Sequence, residues 1–358
     1  MAATAMLNEE DTFIVCLDVE GAFDRVWHQA LLHKMQSFGF PDIALAWMAS
    51  FLDGRTFRVR IGNSHSTSRQ IAGGVPQGSP LSPILYVLFT ADLVRELPRE
   101  IRDRKLVQAV TDGLFADDIA LAKSGKVEKE VVEILNRALD AVALWFRKWR
   151  LKINALKSQA IRISTKYNPP TCQLAINGVI INWFEQVKYL GVWFDRFLNW
   201  NHHLSVAMSK SRSRMSALQG VSRRRFGLTP KAAVIVYNTY IRPVLTYGCQ
   251  AWLGIPDHRW EALETTQRIA LRIALRLPSR QSNDDVYNLS GSETLRTVTG
   301  HLAVEWLDRA LNSGNLVGQE VLPILDRQEV DERPYRALRI PPLGAMAKFA
   351  MTTPARVR

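Results

Sequence analysis

Apolar and polar positions along the chain mark out its elements. Phe13-Ile14-Val15-Cys16-Leu17 is a run of apolar β-formers closed by the carboxylate of Asp18, and it predicts a strand over 13–18. Helical spacing of apolar residues predicts helices near 26–37 and 42–52. Phe57-Arg58-Val59-Arg60-Ile61 then alternates apolar and basic, as a half-exposed strand does. The segment from Gly73 to Pro83, dense in glycine and proline, predicts a loop with fixed bends. Behind it Ile84-Leu85-Tyr86-Val87-Leu88-Phe89 reads as a buried helix, with Ser79 or Ser82 as N-cap and Pro98 stopping it near Leu97. The stretch 107–122 predicts a hairpin with Asp117 and Asp118 at its tip. Over 127–150 Val127, Val131, Ile134, Leu135, Leu139 and Val142 share one helical face; Trp145 and Trp149, at i and i+4, read as core, with base stacking as the alternative. Strands follow near 159–165 and 172–181, the latter pair joined by Asn177-Gly178, a type I′ turn signal. From about 200 the pattern is helical, with Trp260, Leu263, Ile269, Ala270, Ile273 and Leu277 striping a helix near 258–277. Beyond about 280 the chain is polar and proline-punctuated, without a legible motif. Hairpins mixed with helices predict an α+β fold rather than a doubly wound parallel sheet.

Two adjacent carboxylates at a hairpin tip repel unless a cation sits between or above them. Most Asp-Asp pairs are solvated turn residues. Asp18, at the end of another apolar strand, changes the picture. Three carboxylates at strand ends are what a site for hard, oxygen-seeking divalent cations requires. His202-His203 has no cysteine or histidine close by and predicts an exposed pair rather than a metal site.

Composition narrows the class. At 358 residues with 47% hydrophobic residues, the chain can bury a sizeable core and is not a disordered polymer. A formal net charge of +12 favours a polyanionic partner, nucleic acid before anionic membrane. Lys210, Arg212, Arg214, Arg223, Arg224, Arg225 and Lys231 concentrate that charge; the competing reading is a solvated helix face or a nuclear-import signal at Arg223-Arg224-Arg225. Cys16, Cys172 and Cys249 are too widely spaced for a disulfide framework or a cysteine-rich zinc site. No signal-peptide pattern or membrane-length apolar run is present, so an intracellular location, nucleus and cytoplasm, is expected, with no membrane partner.

The order of parts carries a resemblance. Asp18-Val19-Glu20-Gly21-Ala22-Phe23-Asp24, Gly74-Val75-Pro76-Gln77-Gly78-Ser79 and Phe115-Ala116-Asp117-Asp118 resemble the successive palm motifs of reverse transcriptases. Asn154-Ala155-Leu156-Lys157-Ser158 and Val187-Lys188-Tyr189-Leu190-Gly191-Val192 resemble the next two. The likeness is nearest to the non-LTR (LINE-type) retrotransposon group and its jockey-like mobile elements, and covers roughly residues 13–255. The resemblance implies a right-hand polymerase palm, an antiparallel sheet backed by helices, and then a mostly helical thumb. The expected divisions are 1–170 palm with residual fingers elements, 171–198 primer-grip hairpin, 199–278 basic thumb, and 279–358 a C-terminal region with no assigned role.

By the same resemblance, Asp18 and Asp117, with Asp118 beside them, would bind two Mg²⁺ ions (Mn²⁺ as an alternative) about 3.5–4 Å apart, activating a primer hydroxyl and steadying pyrophosphate. Phe23 matches an aromatic that screens the sugar 2′ position; ordinary core packing is the alternative, and the two are compatible. Gln77 and Gly78 match the loop lining the nascent base pair. Lys157 matches a lysine that protonates pyrophosphate, with a solvated loop lysine as the alternative. Tyr189, Leu190 and Gly191 resemble the hairpin gripping the primer. The partners implied are an RNA template, a DNA primer and deoxynucleoside triphosphates, and the life cycle implied is target-primed reverse transcription at chromosomal DNA. The family usually carries a polar or basic residue where Gly21 stands. Asp18 lies close to the first residue, so the fingers region expected upstream is missing, and the chain reads as a fragment or degenerate copy of a longer polyprotein. A catalytically silent nucleic-acid-binding remnant and a group II intron maturase are the competing readings.

Overall fold

The computed structural model describes Ala5 and residues 9–98, 118–222 and 227–312. The chain divides into two compact units, Met1–Leu190 and Gly191–Arg358.

In the first unit β1 (Asp11–Val19) is followed by a 3-10 turn at Phe23–Arg25 and by α1 (His28–Ser37) and α2 (Asp42–Leu52). Four two-residue strands follow: β2 (Thr56–Phe57), β3 (Arg60–Ile61), β4 (Ser64–His65) and β5 (Arg69–Gln70). β2 pairs with β5 and β3 with β4, both antiparallel, making one hairpin. The half-exposed strand expected at 57–61 is therefore split between two ladders, and it buries no face: Phe57, Val59 and Ile61 are all exposed. α3 (Leu81–Thr90) and α4 (Leu93–Glu96) divide the single helix expected to run to Leu97. The break falls at Ala91-Asp92, where Asp92 turns to pair with Lys34 at 2.5 Å. Pro80 takes the N-cap position, with the Leu81 N–H donating to the Ser79 hydroxyl at 3.3 Å.

The rest of the first unit comprises β6 (Asp118–Gly125), α5 (Glu128–Lys148), β7 (Ile153–Ile163), β8 (Leu174–Ile176), β9 (Val179–Ile181) and β10 (Gln186–Tyr189). Its central sheet is antiparallel, in the order β6-β1-β7. Asn177 and Gly178 both adopt positive φ (52° and 76°), the type I′ turn that joins β8 to β9. Alternation on β1 turns Phe13, Val15, Leu17 and Val19 into the core, where they meet Val131, Leu135, Leu139 and Val142 of α5. Val127, expected on that face, is the exposed N-cap. Trp145 and Trp149 are core residues, and their rings, with that of Phe89, surround the ammonium of buried Lys34 at 3.8–4.8 Å.

The second unit opens with β11 (Val192–Asp195) and is otherwise helical: α6 (Asn201–Ser222), α7 (Pro230–Val236), a π-turn at Tyr237–Ile241, α8 (Arg242–Thr246), α9 (Cys249–Trp252), α10 (Asp257–Leu275), α11 (Asn283–Ser290) and α12 (Leu295–Asn312). Helical structure thus continues past 280, where the sequence offered no motif. Trp260, Leu263 and Ala270 of α10 are buried, whereas Ile269 is exposed. His203 is buried rather than exposed; its ring lies 3.4 Å from the Trp193 amide and 3.3 Å from the Tyr247 carbonyl. Burial, the largest cause, lowers the pKa of His203. No helix of the described residues is long and apolar enough to cross a membrane.

Candidate active site

Because odd positions of β1 face the core, Cys16 and Asp18 lie on the other face of the sheet. Asp18 stands opposite Asp118 on β6 and opposite Asn154 on β7. Opposed residues of antiparallel strands share a face with Cβ atoms about 4.5–5.5 Å apart. The result is a row, Asp118–Asp18–Asn154, across three strands. Small side chains, Cys16 and Ala120, form the neighbouring row beside the two carboxylates. Among the described residues Asp18 makes no ion pair.

The negative charge of the row is felt nearby. Burial and the charge of Asp118 push the Cys16 thiol up to about 12, so this sulfur stays protonated. Burial, followed by Cys16 and Asp118, also raises the Tyr189 hydroxyl above its ordinary value. Tyr189 is therefore within electrostatic reach of Asp118. Leu190 and Gly191 follow it with positive φ (46° and 81°), a tight turn.

The backbone at Asp18 is unusual. Between Cys16 and Asp18 the register with β7 shifts, so Ala155, Leu156, Lys157 and Ser158 face the single residue Leu17. Ser158 closes this bulge. Its hydroxyl accepts from the Asp18 amide at 3.2 Å and donates to the Asn154 carbonyl at 2.9 Å. Lys157 is exposed on the bulge, and its amide donates to the Asn154 side-chain oxygen at 3.3 Å.

The Gly-Pro loop is fastened to the turn after β1. The Val75 amide donates to the Phe23 carbonyl and the Gly74 amide to the Val26 carbonyl, each at 2.8 Å. Gly74 has φ +84°, and a Cβ there would lie 2.8 Å from the Asp24 carbonyl oxygen, so only glycine fits this approach. The Gln77 amide donates to the Asp24 carboxylate at 3.0 and 3.3 Å, and Gln77 and Gly78 are exposed. The Phe23 ring is half-buried, 5.2 Å from Tyr86. Gly21, where a polar side chain was expected, has φ +60°.

Two carboxylates and an amide oxygen in one row are hard donors, suited to Mg²⁺ or Mn²⁺ rather than to a thiophilic metal. Asp117 lies outside the described residues, among which no group of three or more His, Cys, Asp or Glu side chains is arranged to hold a metal ion. In the second unit Lys210 and Arg212 are exposed on α6. Arg214 is engaged locally: its guanidinium stacks 4.4 Å over the Tyr240 ring and donates to the Tyr240 carbonyl. Arg223, Arg224 and Arg225 lie outside the described residues. Sequence reasoning missed the roles of Ser158 and Asp24; both lie inside the matched motifs, which was the signal available.

A family model described as reverse transcriptase (RNA-dependent DNA polymerase) matches residues 2–194. The chain is 31% identical over 326 residues to the probable RNA-directed DNA polymerase from transposon BS of Drosophila melanogaster, covering 91% of this chain and 35% of that protein. It is 32% identical over 252 residues to the RNA-directed DNA polymerase from mobile element jockey of the same species, covering 70% of this chain and 27% of that protein. A third relative, the probable RNA-directed DNA polymerase from transposon X-element of D. melanogaster, is 29% identical over 271 residues, 75% of this chain and 29% of that protein. The chain thus spans about a quarter to a third of the length of these curated relatives.

Proposed function

The chain belongs to the reverse transcriptase (RNA-dependent DNA polymerase) family, and from that premise we propose that it is the polymerising part of a non-LTR retrotransposon protein, extending a DNA primer on an RNA template. The observation that carries this reading is the Asp118–Asp18–Asn154 row. In this reading the three-stranded sheet backed by α5 is the palm and the helical second unit the thumb.

Asp18 and Asp117, with Asp118 beside them, would hold divalent metal ions, which would supply Lewis acidity toward the primer 3′-hydroxyl and offset the charge on departing pyrophosphate. The chain's own residues do the rest by positioning. Ser158 fixes the backbone at Asp18, so the carboxylate is held in place before substrate arrives. Asp24 orients Gln77, and the glycine-bounded loop lets backbone approach the nascent base pair. Phe23, braced on Tyr86, screens the sugar. Lys157, exposed on the bulge, donates the proton taken up by pyrophosphate. Tyr189, Leu190 and Gly191 hold the primer end, and Lys210, Arg212 and the arginines at 223–225 contact duplex phosphates. Positioning and charge neutralisation are most of what phosphoryl transfer needs.

The test is extension of a labelled DNA primer on an RNA template by the chain and by Asp18→Asn. Losing a metal carboxylate removes several kcal/mol of transition-state stabilisation, so incorporation falls by about a thousandfold or more. Equal extension by the two proteins would overturn the assignment. So would RNA binding without incorporation by the unmutated chain in either Mg²⁺ or Mn²⁺, which is the behaviour of a silent remnant.

A further inference from the structure

In the hairpin spanning residues 55–71 the side-chain hydrogen bonds are local, and its apolar side chains cover no core. Arg60 Nε donates to the Gly62 carbonyl and the Ser66 hydroxyl accepts from the Val59 amide, each at 2.9 Å. All residues from Thr56 to Gln70 are exposed, and the two short ladders cover no core. A two-stranded ribbon without a buried face is marginal in water by itself. Three large apolar side chains lie open on it, Phe57 at 47%, Val59 at 51% and Ile61 at 78% exposure. Between them and on the returning strand stand Arg58, Arg60 and Arg69, and the sequence holds no aspartate or glutamate between Asp53 and Asp92. An acid-free surface interleaving arginines with apolar side chains suits one kind of ligand: phosphates meet the guanidinium groups while unpaired bases lie against the apolar side chains.

The root of the hairpin supports the same ligand. The Ile71 amide donates to the Arg55 carbonyl at 2.8 Å, closing the ribbon. Only a few residues later the chain enters the loop that is bonded to Asp24 and Val26. The hairpin is therefore anchored directly beside the loop assigned to the nascent base pair.

We propose that this hairpin is an arm for single-stranded RNA, holding the template strand before it enters the active site. The proposal rests on the polymerase reading above. Binding, however, is measured without metal or nucleotide, so its outcome does not depend on catalysis.

The probe is a short, end-labelled single-stranded oligoribonucleotide, titrated by fluorescence anisotropy at several salt concentrations. In R58A/R60A/R69A affinity falls at least about tenfold, and the slope of log affinity against log salt becomes shallower by about 2, as expected for three lost phosphate contacts to a single strand. The charge-keeping variant R58K/R60K/R69K stays near the unmutated affinity. Phe57→Ser weakens binding by roughly five- to a hundredfold through lost stacking. Thermal unfolding is unchanged in all three, because the residues are exposed. The inference is overturned if R58A/R60A/R69A binds RNA like the unmutated chain while K210A/R212A does not, a result that leaves the polymerase reading standing. It is also overturned if the triple alanine variant keeps RNA but loses phosphatidylserine vesicles, which would make the arm a membrane contact.

Discussion

The two ends of β1 each present an aspartate, and the protein treats them in opposite ways. Asp11 is buried and surrounded by built-in donors. Arg162 reaches it at 2.5 Å and Lys166 at 3.3 Å, while the Ser164 hydroxyl donates to it. Glu128, from the start of α5, completes the cluster through Arg162 at 3.3 Å and receives the Thr171 and Cys172 amides. Seven residues on, an odd step in a strand, Asp18 faces the other way. There the neighbour across the ladder is a second carboxylate, Asp118, rather than a guanidinium. One end carries its countercharge within the fold. At the other, Asp18 faces a second carboxylate, and under the proposed function a cation from solution would join them. Under the proposed function, a carboxylate used for structure and one used for chemistry differ in who supplies the positive charge.

This contrast is open to direct attack. Asp11→Asn removes one of the two carboxylates paired with buried Arg162, leaving Glu128 at 3.3 Å, and costs up to about 3–5 kcal/mol, read from the denaturant midpoint. A change under about 1 kcal/mol would show that the cluster is ornamental. The acid limb of stability is the next largest effect. Burial alone would raise the Asp11 carboxyl, but hydrogen bonds from Ser164 and Arg162 and the Arg162 charge outweigh it and hold the group below its ordinary value. Glu128 is lowered in the same manner, burial being outweighed by the Cys172 and Thr171 amides. Groups depressed on folding contribute stability that is complete above the ordinary carboxylate range and lost as pH falls through their folded values. Melts taken downward from about pH 5 therefore steepen in the unmutated chain and flatten in Asp11→Asn. The smallest effect belongs to the other end. Asp18→Asn relieves opposed like charges, and the melt rises by the equivalent of about 0.2–1 kcal/mol. A loss of several kcal/mol there would mean that Asp18 is a structural residue after all.

Much of this was legible in the sequence because it rests on local rules. The apolar run before Asp18, the helical face of α5 and the Asn177-Gly178 turn each depend on spacing or on a residue's own φ preference. What escaped depends on partners distant in the chain. Lys34 gave no sign that it would be buried, because its cage is assembled from Phe89, Trp145 and Trp149 on two other helices. That burial brings its ammonium down to about 8 despite the Asp92 contact. His203 likewise owes its burial to Trp252 and the Tyr247 carbonyl. The exposed hairpin misled for the converse reason: alternation at 57–61 promises a buried face, and among the described residues no element comes to cover it. Asp18 was identified from its strand, but its neighbour on β7 depends on a register offset that no spacing rule contains.

That offset decides the electrostatics of the site. Had β7 kept the alignment that sets Gln159 across from Cys16, the residue facing Asp18 would have been Lys157. An ammonium would then have occupied the carboxylate's flank, much as Arg162 does for Asp11, and the strand would have become self-neutralising. Looping out a short stretch substitutes the uncharged amide of Asn154 and keeps the lysine at the margin. A slip in alignment, rather than any exchange of residues, is what sets an amide instead of an ammonium across from Asp18.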